Sequence, residues 1–293
     1  MLAHGPELLR RAHAEGRAVP AMTTYTLEST RAICDAAEAV GSPVILQAGA
    51  SSFHGVGREL LAAVALTAAR CASVPVGVHL DHSTNLGEIR WCIEIGYTSV
   101  MIDGSRLPYS ENIAVTQAVV REAHDAGVWV EAEIGAIAGD EDSSTDSASA
   151  ELTDPVAAAD FADRTGVDAL AVGIGTVHGF SATPVQVDFS RLSAIAALVS
   201  VPLVLHGTSG LEDEDVLRVV RSGVAKVNIN ADLRRAYIMA LGAATAGGGD
   251  DILRVQQRAV AAVAQVATAK LKLLAGLQRE SLDRAQGPLD LLV

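Results

Sequence analysis

Residues 76–82 read VGVHLDH, and this stretch indicates the fold of the chain. A short valine-rich run that ends in polar residues predicts a buried strand. Similar runs alternate with Ala-rich helical stretches along the sequence, and seven such stretches separate eight predicted strands. The predicted strands are Ala18–Thr23, Pro43–Gln47, Val76–Leu80, Ser99–Ile102, Val128–Ile134, Ala169–Val172, Leu203–Leu205 and Ala225–Ile229. This alternation predicts an α/β fold with a parallel sheet, and eight units favour a (β/α)8 TIM barrel over an open doubly wound sheet.

Two segments interrupt this rhythm. Gly135–Glu151 (GAIAGDEDSSTDSASAE) is acidic, polar and longer than a simple connection. It predicts a mobile lid or binding loop, with a disordered surface insertion as the alternative. After Gly247–Gly249, which we interpret as a hinge or turn, residues 251–284 form an apolar helical pattern that packs on the barrel or on a partner subunit. We therefore expect a single barrel domain over residues 1–293, extended by C-terminal helix.

Composition excludes several classes of protein. The net charge of −13 disfavours nucleic acid, whose phosphates require a cationic surface. There is no apolar run of about 18 residues, so no membrane span is expected. Polar residues interrupt the N-terminal segment, so it lacks the continuous apolar core of a signal peptide. Cys34, Cys71 and Cys92 lack metal-ligand spacing and are expected to be small buried residues in a reducing compartment, which favours a cytoplasmic protein.

Histidines follow three of the predicted strands. His79 and His82 end the third strand, His178 follows the sixth, and His206 follows the seventh. The carboxyl ends of all strands of a barrel open onto one face, so these residues can converge there. Three imidazoles on that rim predict an open zinc site that leaves a position for substrate. The alternative is that each histidine is structural.

Carboxylates accompany the histidines. Asp81 precedes His82 and would point to the other side of an extended strand, where it could cap a helix or support a histidine, although at the strand end it could still reach the cavity. Asp103 ends the fourth strand. Glu131 and Glu133 alternate on the fifth strand and therefore face one side. Inside a barrel they need a metal, an arginine or a buried network as partner.

Glycine-containing turns follow the last two strands. Gly207–Gly210 (GTSG) and Asn228–Ala231 (NINA) lie where barrels commonly bind phosphate through backbone N–H groups. Each turn alone is weak support for an anion site, because most such turns are only turns.

The motifs HLDH, MIDGS, VEAEIG, GTVHG, LHGTSG and KVNIN occur in this order between Val19 and Ala236. In this respect the chain resembles class II (zinc-dependent) ketose-bisphosphate aldolases of the tagatose- and fructose-bisphosphate type. The resemblance implies a lyase of carbohydrate metabolism that cleaves a ketose (bis)phosphate reversibly to dihydroxyacetone phosphate and an aldehyde through a zinc-stabilised enediolate. It also implies a homodimer or homotetramer whose partner is a small sugar or sugar phosphate.

The resemblance assigns roles to individual residues. His82, His178 and His206 would bind the catalytic Zn²⁺, whereas Asp103 and Glu133 match residues that hold a displaced or second metal ion. Asp81 would be the acid/base at the acceptor hydroxyl, and Glu141 would move the α-proton of the donor. Substrate contacts are expected at Gly179, Gly207, Thr208, Ser209, Asn228, Asn230 and Arg234. A monovalent cation, Na⁺ or K⁺, is expected beside the donor phosphate. Arg234 would take the phosphate of the acceptor, or be a surface helix arginine; Arg106 is a weaker candidate for an anion contact.

The sequence also departs from the family pattern. Gly49 and Ala231 stand where relatives have hydroxyl side chains, Thr23 or Thr24 replaces an asparagine, and Phe180–Thr183 lacks the usual lysine. In relatives, three of these four positions help to hold the donor's 1-phosphate. An unphosphorylated or otherwise modified donor is therefore an alternative, and a noncatalytic barrel subunit is a further one. A Schiff-base aldolase would need Lys226, which shares a strand face with Asn228. The configuration at C4 of the ketose depends on small shifts around Asp81 and Asn230.

Overall fold

A computed structural model describes residues 1–137, 151–180, 185–246 and 251–277. Eight parallel strands follow one another in chain order around a closed barrel, which confirms the predicted fold. They are β1 (Val19–Thr23), β2 (Val44–Gly49), β3 (Val76–Ser83), β4 (Ser99–Ile102), β5 (Trp129–Ile134), β6 (Ala169–Val172), β7 (Leu203–Leu205) and β8 (Val224–Ile229). The barrel closes where β1 pairs with β8, with Val19 opposite Lys226 and Ala21 opposite Asn228.

Eleven helices surround the strands in the part of the chain that the structure describes. They are α1 (Glu7–Ala14), α2 (Leu27–Val40), α3 (Ala50–Val56), α4 (Arg58–Cys71), α5 (Leu86–Ile95), α6 (Tyr109–Asp125), α7 (Pro155–Thr165), α8 (Phe189–Leu198), α9 (Asp213–Arg221), α10 (Ala231–Thr245) and α11 (Ile252–Leu274). Two helices, α3 and α4, connect β2 to β3, so the expectation of seven helical stretches between the strands was too low by one. None of the described helices is long and apolar enough to cross a membrane.

Helix α11 packs against α2 and α10 and also reaches β1. Val263, Ala267 and Leu271 are fully buried and recur every four residues, which places them on one helix face. This face joins the core between the barrel and its helices. Over residues 252–274, the segment packs on its own barrel and helices.

The barrel interior is divided into an apolar end and a polar end. Side chains of Val19, Ala21, Ile45 and Trp129 fill the lower interior, where Leu9 of α1 is packed against them. Gln47 and Glu131, two residues further along β2 and β5, are polar and buried, as are His79 of β3 and Lys226 of β8. Helix α1 thus closes the amino-terminal end of the barrel, and chemistry is left to the carboxyl-terminal end.

The three cysteines differ in their surroundings. Cys34 in α2 and Cys92 in α5 are buried, whereas Cys71 at the end of α4 is exposed, so the expectation of burial was wrong for Cys71. The last turn of α4 faces solvent at this position. Burial raises the pKa of the Cys34 thiol to about 11, and the negative charges of Asp35 and Glu38 add to the effect. Burial also raises the pKa of Cys92 well above its ordinary value.

We expect one fast-reacting thiol in the native protein. The thiolate is the reactive form, so a raised pKa leaves little of it near neutral pH, and burial blocks access as well. A thiol-specific chromogenic reagent at about pH 8 should label one cysteine quickly and the other two only on unfolding. Cys71→Ser should remove the fast phase, and Cys92→Ser should leave it. Fast labelling that persists in Cys71→Ser would contradict the burial of the other two.

Candidate active site

Three histidines from separate segments meet at the carboxyl-terminal end of the barrel. His82 lies near the end of β3, His178 in the segment after β6, and His206 directly after β7. One ring nitrogen from each lies within 4.8 Å of those of the others. The ring centroids are 4.5 Å apart for His82 and His206, and 4.9 Å apart for His82 and His178. The convergence expected from the strand ends is therefore observed.

Gly207 explains how the segments after β6 and β7 come together. Its φ is +68°, in the left-handed region that favours glycine. A Cβ at this position would lie 2.5 Å from the backbone oxygen of Val177, the residue before His178. Only glycine accommodates both conditions, so this position holds His178 beside His206.

In His82 and in His206, a hydrogen bond to a carboxylate determines which ring nitrogen faces the histidine cluster. Nδ1 of His82 lies 2.9 Å from Asp103 Oδ2, and Nε2 of His206 lies 2.8 Å from Glu131 Oε1. An ionised carboxylate only accepts, so these nitrogens carry the hydrogens and donate them. The opposite nitrogens, His82 Nε2 and His206 Nδ1, are buried and have no hydrogen-bond partner among the described residues. Lone pairs held in this way by a carboxylate behind the ring are typical of metal-binding histidines.

The electrostatics of the cluster favour a cation. Burial lowers the pKa of His206, but Glu131 and Glu133 outweigh it and raise the value to about 9. Burial likewise opposes ionisation of His82, yet Asp81 and Asp103 raise its pKa well above the usual range. For Asp103 burial raises the pKa, whereas the hydrogen bonds from His82 and Ser105 outweigh this and lower it. The surrounding carboxylates therefore stabilise positive charge, which a divalent ion would supply as well as protons do.

A second group of ligand atoms overlaps the first. His82, Asp103 and Glu133 also place potential ligand atoms within 4.8 Å of one another. Glu133 Oε2 lies 3.4 Å from His206 Nδ1, and its other oxygen accepts from the backbone N–H of Ile137 at 3.2 Å. Asp103 and Glu133 are thus adjacent to the three histidines, as the sequence predicted.

The end of β3 departs from a regular strand. The strand runs to Ser83, three residues beyond the predicted end, and its register with β4 shifts between Leu80 and Ser83. His82 has φ of +44°, an uncommon conformation for a residue with a side chain. This irregularity places both Asp81 and His82 at the site, although regular alternation would point them to opposite faces. Asn85, rather than Asp81, caps α5.

Asp81 is held by two amide side chains inside the barrel. It is 2% exposed and accepts a hydrogen bond of 2.9 Å from Gln47 Nε2. Asn228 Nδ2 lies 3.2 Å from both carboxylate oxygens. Gln47 was not among the predicted site residues. It could have been found as the polar residue in an otherwise apolar strand, because a buried polar side chain needs a polar partner.

Lys226 and Glu131 form an ion pair beneath the histidines. Both side chains are fully buried, and Lys226 Nζ lies 2.8 Å from Glu131 Oε2. Lys226 also donates to Asn228 Oδ1 at 2.8 Å. Burial raises the pKa of Glu131, but the charge of Lys226 and the bond from His206 outweigh this and lower it. The buried network that the sequence required for carboxylates on β5 is therefore observed, with a lysine as the cation.

His79 lies in the same interior but has a different environment. Its Nδ1 is 2.8 Å from Ser99 Oγ, and its ring stacks on Trp129 at 5.5 Å. Burial and the nearby charge of Lys226 lower its pKa to about 3, so it is neutral. His79 packs within the polar interior rather than joining the three rim histidines.

The remaining predicted contacts lie around the same rim. Gly179 has a positive φ, Thr208 donates to the backbone oxygen of Asn228 at 2.6 Å, and Ser209 is buried. Asn230 precedes α10 and its Oδ1 accepts from Tyr25 at 2.8 Å. Glu141 and Ser181–Thr183 lie outside the described residues. At the departures from the family pattern, Gly49 precedes α3 and Ala231 is buried.

Arg234 lies beside a cavity of about 200 Å³ between β1 and α10. Thr23, Tyr25 and Tyr237 also line this cavity. Among the described residues, no hydrogen-bond partner is found for Arg234 Nη1, which is buried. Thr23, which lines the cavity, accepts a hydrogen bond of 3.3 Å from Gln47, and Gln47 also donates to Asp81. Arg234 thus has a buried donor next to this cavity, whereas Arg106 is exposed.

The chain is similar to known aldolases over nearly its whole length. The YdjI aldolase from Escherichia coli K12 is 32% identical with a TM-score of 0.84, over 94% of this chain and 97% of that one. A putative fructose-1,6-biphosphate aldolase from Coccidioides immitis is 32% identical with a TM-score of 0.86, over 92% and 95% of the two chains. A fructose-bisphosphate aldolase from Campylobacter jejuni is 25% identical with a TM-score of 0.79, over 94% and 95%. Residues 4–278 match the family described as fructose-bisphosphate aldolase class-II, and the chain belongs to that family of carbon–carbon lyases.

Proposed function

We propose that the protein is a zinc-dependent aldolase that reversibly cleaves a ketose (bis)phosphate to dihydroxyacetone phosphate and an aldehyde. The observation that carries this proposal is the meeting of His82, His178 and His206 beside buried Asp81. In both His82 and His206, one ring nitrogen faces a carboxylate. The other ring nitrogen is buried and has no hydrogen-bond partner among the described residues. Three neutral imidazoles with a free position suit Zn²⁺ better than Mg²⁺ or Ca²⁺, which prefer oxygen ligands.

A divalent metal ion held by His82, His178 and His206 would supply Lewis-acid stabilisation of the negative charge that develops on the donor's carbonyl oxygen. The protein contributes the orientation of its ligands. Asp103 holds the ring of His82, and Glu131 holds the ring of His206. Asp103 and Glu133 are proposed to form a second or alternative metal position, because they share His82 with the first.

Asp81 is proposed to move the proton of the hydroxyl group at the cleaved bond. In the cleavage direction its carboxylate accepts that proton, and in the condensation direction it returns the proton to the new hydroxyl. Gln47 and Asn228 keep the carboxylate in place by donating to it. Glu141 is proposed to move the α-proton of the donor from the acidic segment after β5.

The two ends of the substrate are proposed to bind on different sides of the rim. Gly179, Gly207, Thr208 and Ser209 would surround the donor, with Na⁺ or K⁺ beside its phosphate. Asn230 and Arg234 would meet the acceptor end, because the Arg234 cavity adjoins Thr23 and Tyr25. A phosphate there would pair with the guanidinium in a charge-assisted contact.

An unphosphorylated donor is a second candidate, and one feature favours it. The segments after β5, β6 and β7, residues 135–154, 173–188 and 206–212, contain no lysine or arginine. A donor phosphate on that side would find no cationic side chain on these segments themselves; the guanidinium of Arg235, on α10, lies over the ring of Phe180. The same aldol chemistry then applies to a neutral donor.

We further propose a homodimer or homotetramer. Ile238 and Met239 on α10, and Ile252 and Leu253 on α11, are each more than half exposed. Large apolar side chains grouped on adjoining helices favour contact with another subunit.

Metal removal tests the central proposal. Dialysis against a chelator should abolish aldol cleavage, and Zn²⁺ or Co²⁺ should restore it. His178→Gln should lose both the bound metal and the activity, measured by metal analysis and by aldehyde release. The matched control is His124→Gln, because His124 is a half-exposed helix residue that contacts Asp168. Full activity after complete metal removal would exclude this mechanism.

Replacing Asp81 tests its role in proton movement. Asp81→Asn keeps the shape of the side chain but cannot accept a proton, so kcat should fall by about 10² to 10⁴-fold. Zinc content should stay at the wild-type level, because Asp81 is not among the three proposed ligands. Asp168→Asn, on β6's amino-terminal side, is the control. A kcat of Asp81→Asn equal to that of the wild type would refute the assignment.

Arg234 should determine the preference for a phosphorylated acceptor end. Arg234→Met should raise KM for fructose or tagatose bisphosphate by about 10- to 100-fold, since a charged hydrogen bond contributes about 1.5–3 kcal/mol. Turnover of analogues without that phosphate should be unaffected. Arg235→Met is the matched control, because this neighbouring guanidinium lies over the ring of Phe180 instead. If Arg234→Met changed KM equally for the bisphosphates and for the analogues without that phosphate, or changed neither, the cavity would not be an anion site. The same panel, extended to analogues without the donor phosphate, separates the two candidate functions.

A further inference from the structure

Lys226 is a fully buried cation in the interior of the barrel. Barrel interiors are usually filled by branched apolar side chains, and a buried ammonium group is costly unless it is paired. Its Nζ has two close contacts, Glu131 Oε2 and Asn228 Oδ1, each at 2.8 Å. These two contacts lead in different directions from the same nitrogen atom.

The first contact leads to the histidine cluster. The two oxygens of Glu131 have different partners, because Oε1 accepts from His206 Nε2 and Oε2 faces Lys226. A glutamate carboxylate with one oxygen held in place cannot rotate freely about its Cγ–Cδ bond. Lys226 therefore keeps the other oxygen directed at His206, and this bond keeps His206 Nδ1 facing His82 and His178.

The second contact leads to Asp81. An amide group has an accepting end and a donating end, and an ammonium group can only donate. Because Lys226 donates to Oδ1 of Asn228, the amide nitrogen must point away, toward both oxygens of Asp81 at 3.2 Å. Without the lysine, the amide oxygen loses its donor, and only the carboxylate of Asp81 still favours this orientation.

We propose that Lys226 is a positioning residue that sets the orientation of His206 through Glu131 and of Asp81 through Asn228. This inference rests on the proposed function, in which His206 binds metal and Asp81 moves a proton. One ammonium group would thereby hold the metal-binding and proton-moving halves of the site in register. The same contacts disfavour Lys226 as a Schiff-base nucleophile, because its nitrogen is charged, buried and engaged on two sides.

The test compares three variants with the wild type. Lys226→Met removes the charge and both contacts. Lys226→Met combined with Glu131→Gln removes the ion pair as a whole and so avoids leaving one buried charge unpaired. Met101→Leu is the matched control, because Met101 is fully buried and lies opposite Glu131 in the pairing of β4 with β5. It alters packing beside the network without altering its charges.

Four quantities are measured for each protein. They are the melting temperature of the metal-free protein, the Zn²⁺ affinity by competition with a chromogenic chelator, the visible absorption spectrum of the Co²⁺ form, and kcat and KM for aldol cleavage. We expect Lys226→Met to weaken Zn²⁺ binding by about 10- to 100-fold, the usual effect of losing support behind a ligand. We also expect an altered Co²⁺ spectrum and a fall in kcat larger than the change in KM.

The double variant separates positioning from simple charge balance. We expect it to regain the melting temperature but not the Zn²⁺ affinity, the Co²⁺ spectrum or kcat. Recovery of all four together would overturn the proposal, because charge neutrality alone would then suffice. Wild-type values in Lys226→Met would overturn it as well, as would equal losses in Met101→Leu. If Lys226→Met does not fold, the double variant is compared with Glu131→Gln alone, and equal kcat in these two variants would overturn the role of Lys226 at Asp81 through Asn228. A wild-type protein that binds no Zn²⁺ and cleaves no ketose would instead overturn the proposed function, and this inference with it.

Discussion

The burial of Glu131 is the constraint on which the polar half of the structure depends. A carboxylate with no solvent exposure is stable as an anion only if both oxygens have strong partners. His206 and Lys226 supply these partners at 2.8 Å each. Satisfying that one charge determines the tautomer of His206, places a lysine inside the barrel, and through Asn228 reaches Asp81. The arrangement of the candidate site therefore follows from compensating a buried charge.

Stability and chemistry are separated along the barrel axis. The amino-terminal end is filled by small and branched apolar side chains and is closed by Leu9 of α1. This packing leaves the strand ends on the other side free to carry polar groups whose burial costs stability. The rim also contains backbone in uncommon conformations, at His82 and at Gly207. Such conformations persist where the surrounding structure determines them, and here they bring side chains from separate segments together.

Much of this arrangement could be predicted from local patterns. Valine-rich runs between helical stretches predict the strands, and histidines that follow three strands predict a convergent site. The left-handed backbone at His82 could not be predicted, because histidine has no intrinsic preference strong enough to indicate it. The contacts of Lys226 with Glu131 and of Gln47 with Asp81 depend on the closure and stagger of the barrel, which no local pattern encodes. Helix α3 was missed because its seven residues are too few to give a clear helical period.

The charged side chains around the carboxyl-terminal rim of the barrel would influence which end of a substrate faces β1 and α10. The segments after β5, β6 and β7 carry carboxylates and no lysine or arginine, whereas Arg234 faces a cavity beside β1. Under the proposed function, a substrate with one anionic end would bind with that end toward β1 and α10, where Arg234 Nη1 is buried and has no hydrogen-bond partner among the described residues. The three histidines and Asp81 lie between these sides, so the reacting carbons would be centred over them. A second anionic group would meet the backbone N–H groups of the segments after β5, β6 and β7, whose own residues include no lysine or arginine. Under the proposed function, Arg234 would therefore give the acceptor end of the substrate a cationic side chain that the segments after β5, β6 and β7 do not give the donor end.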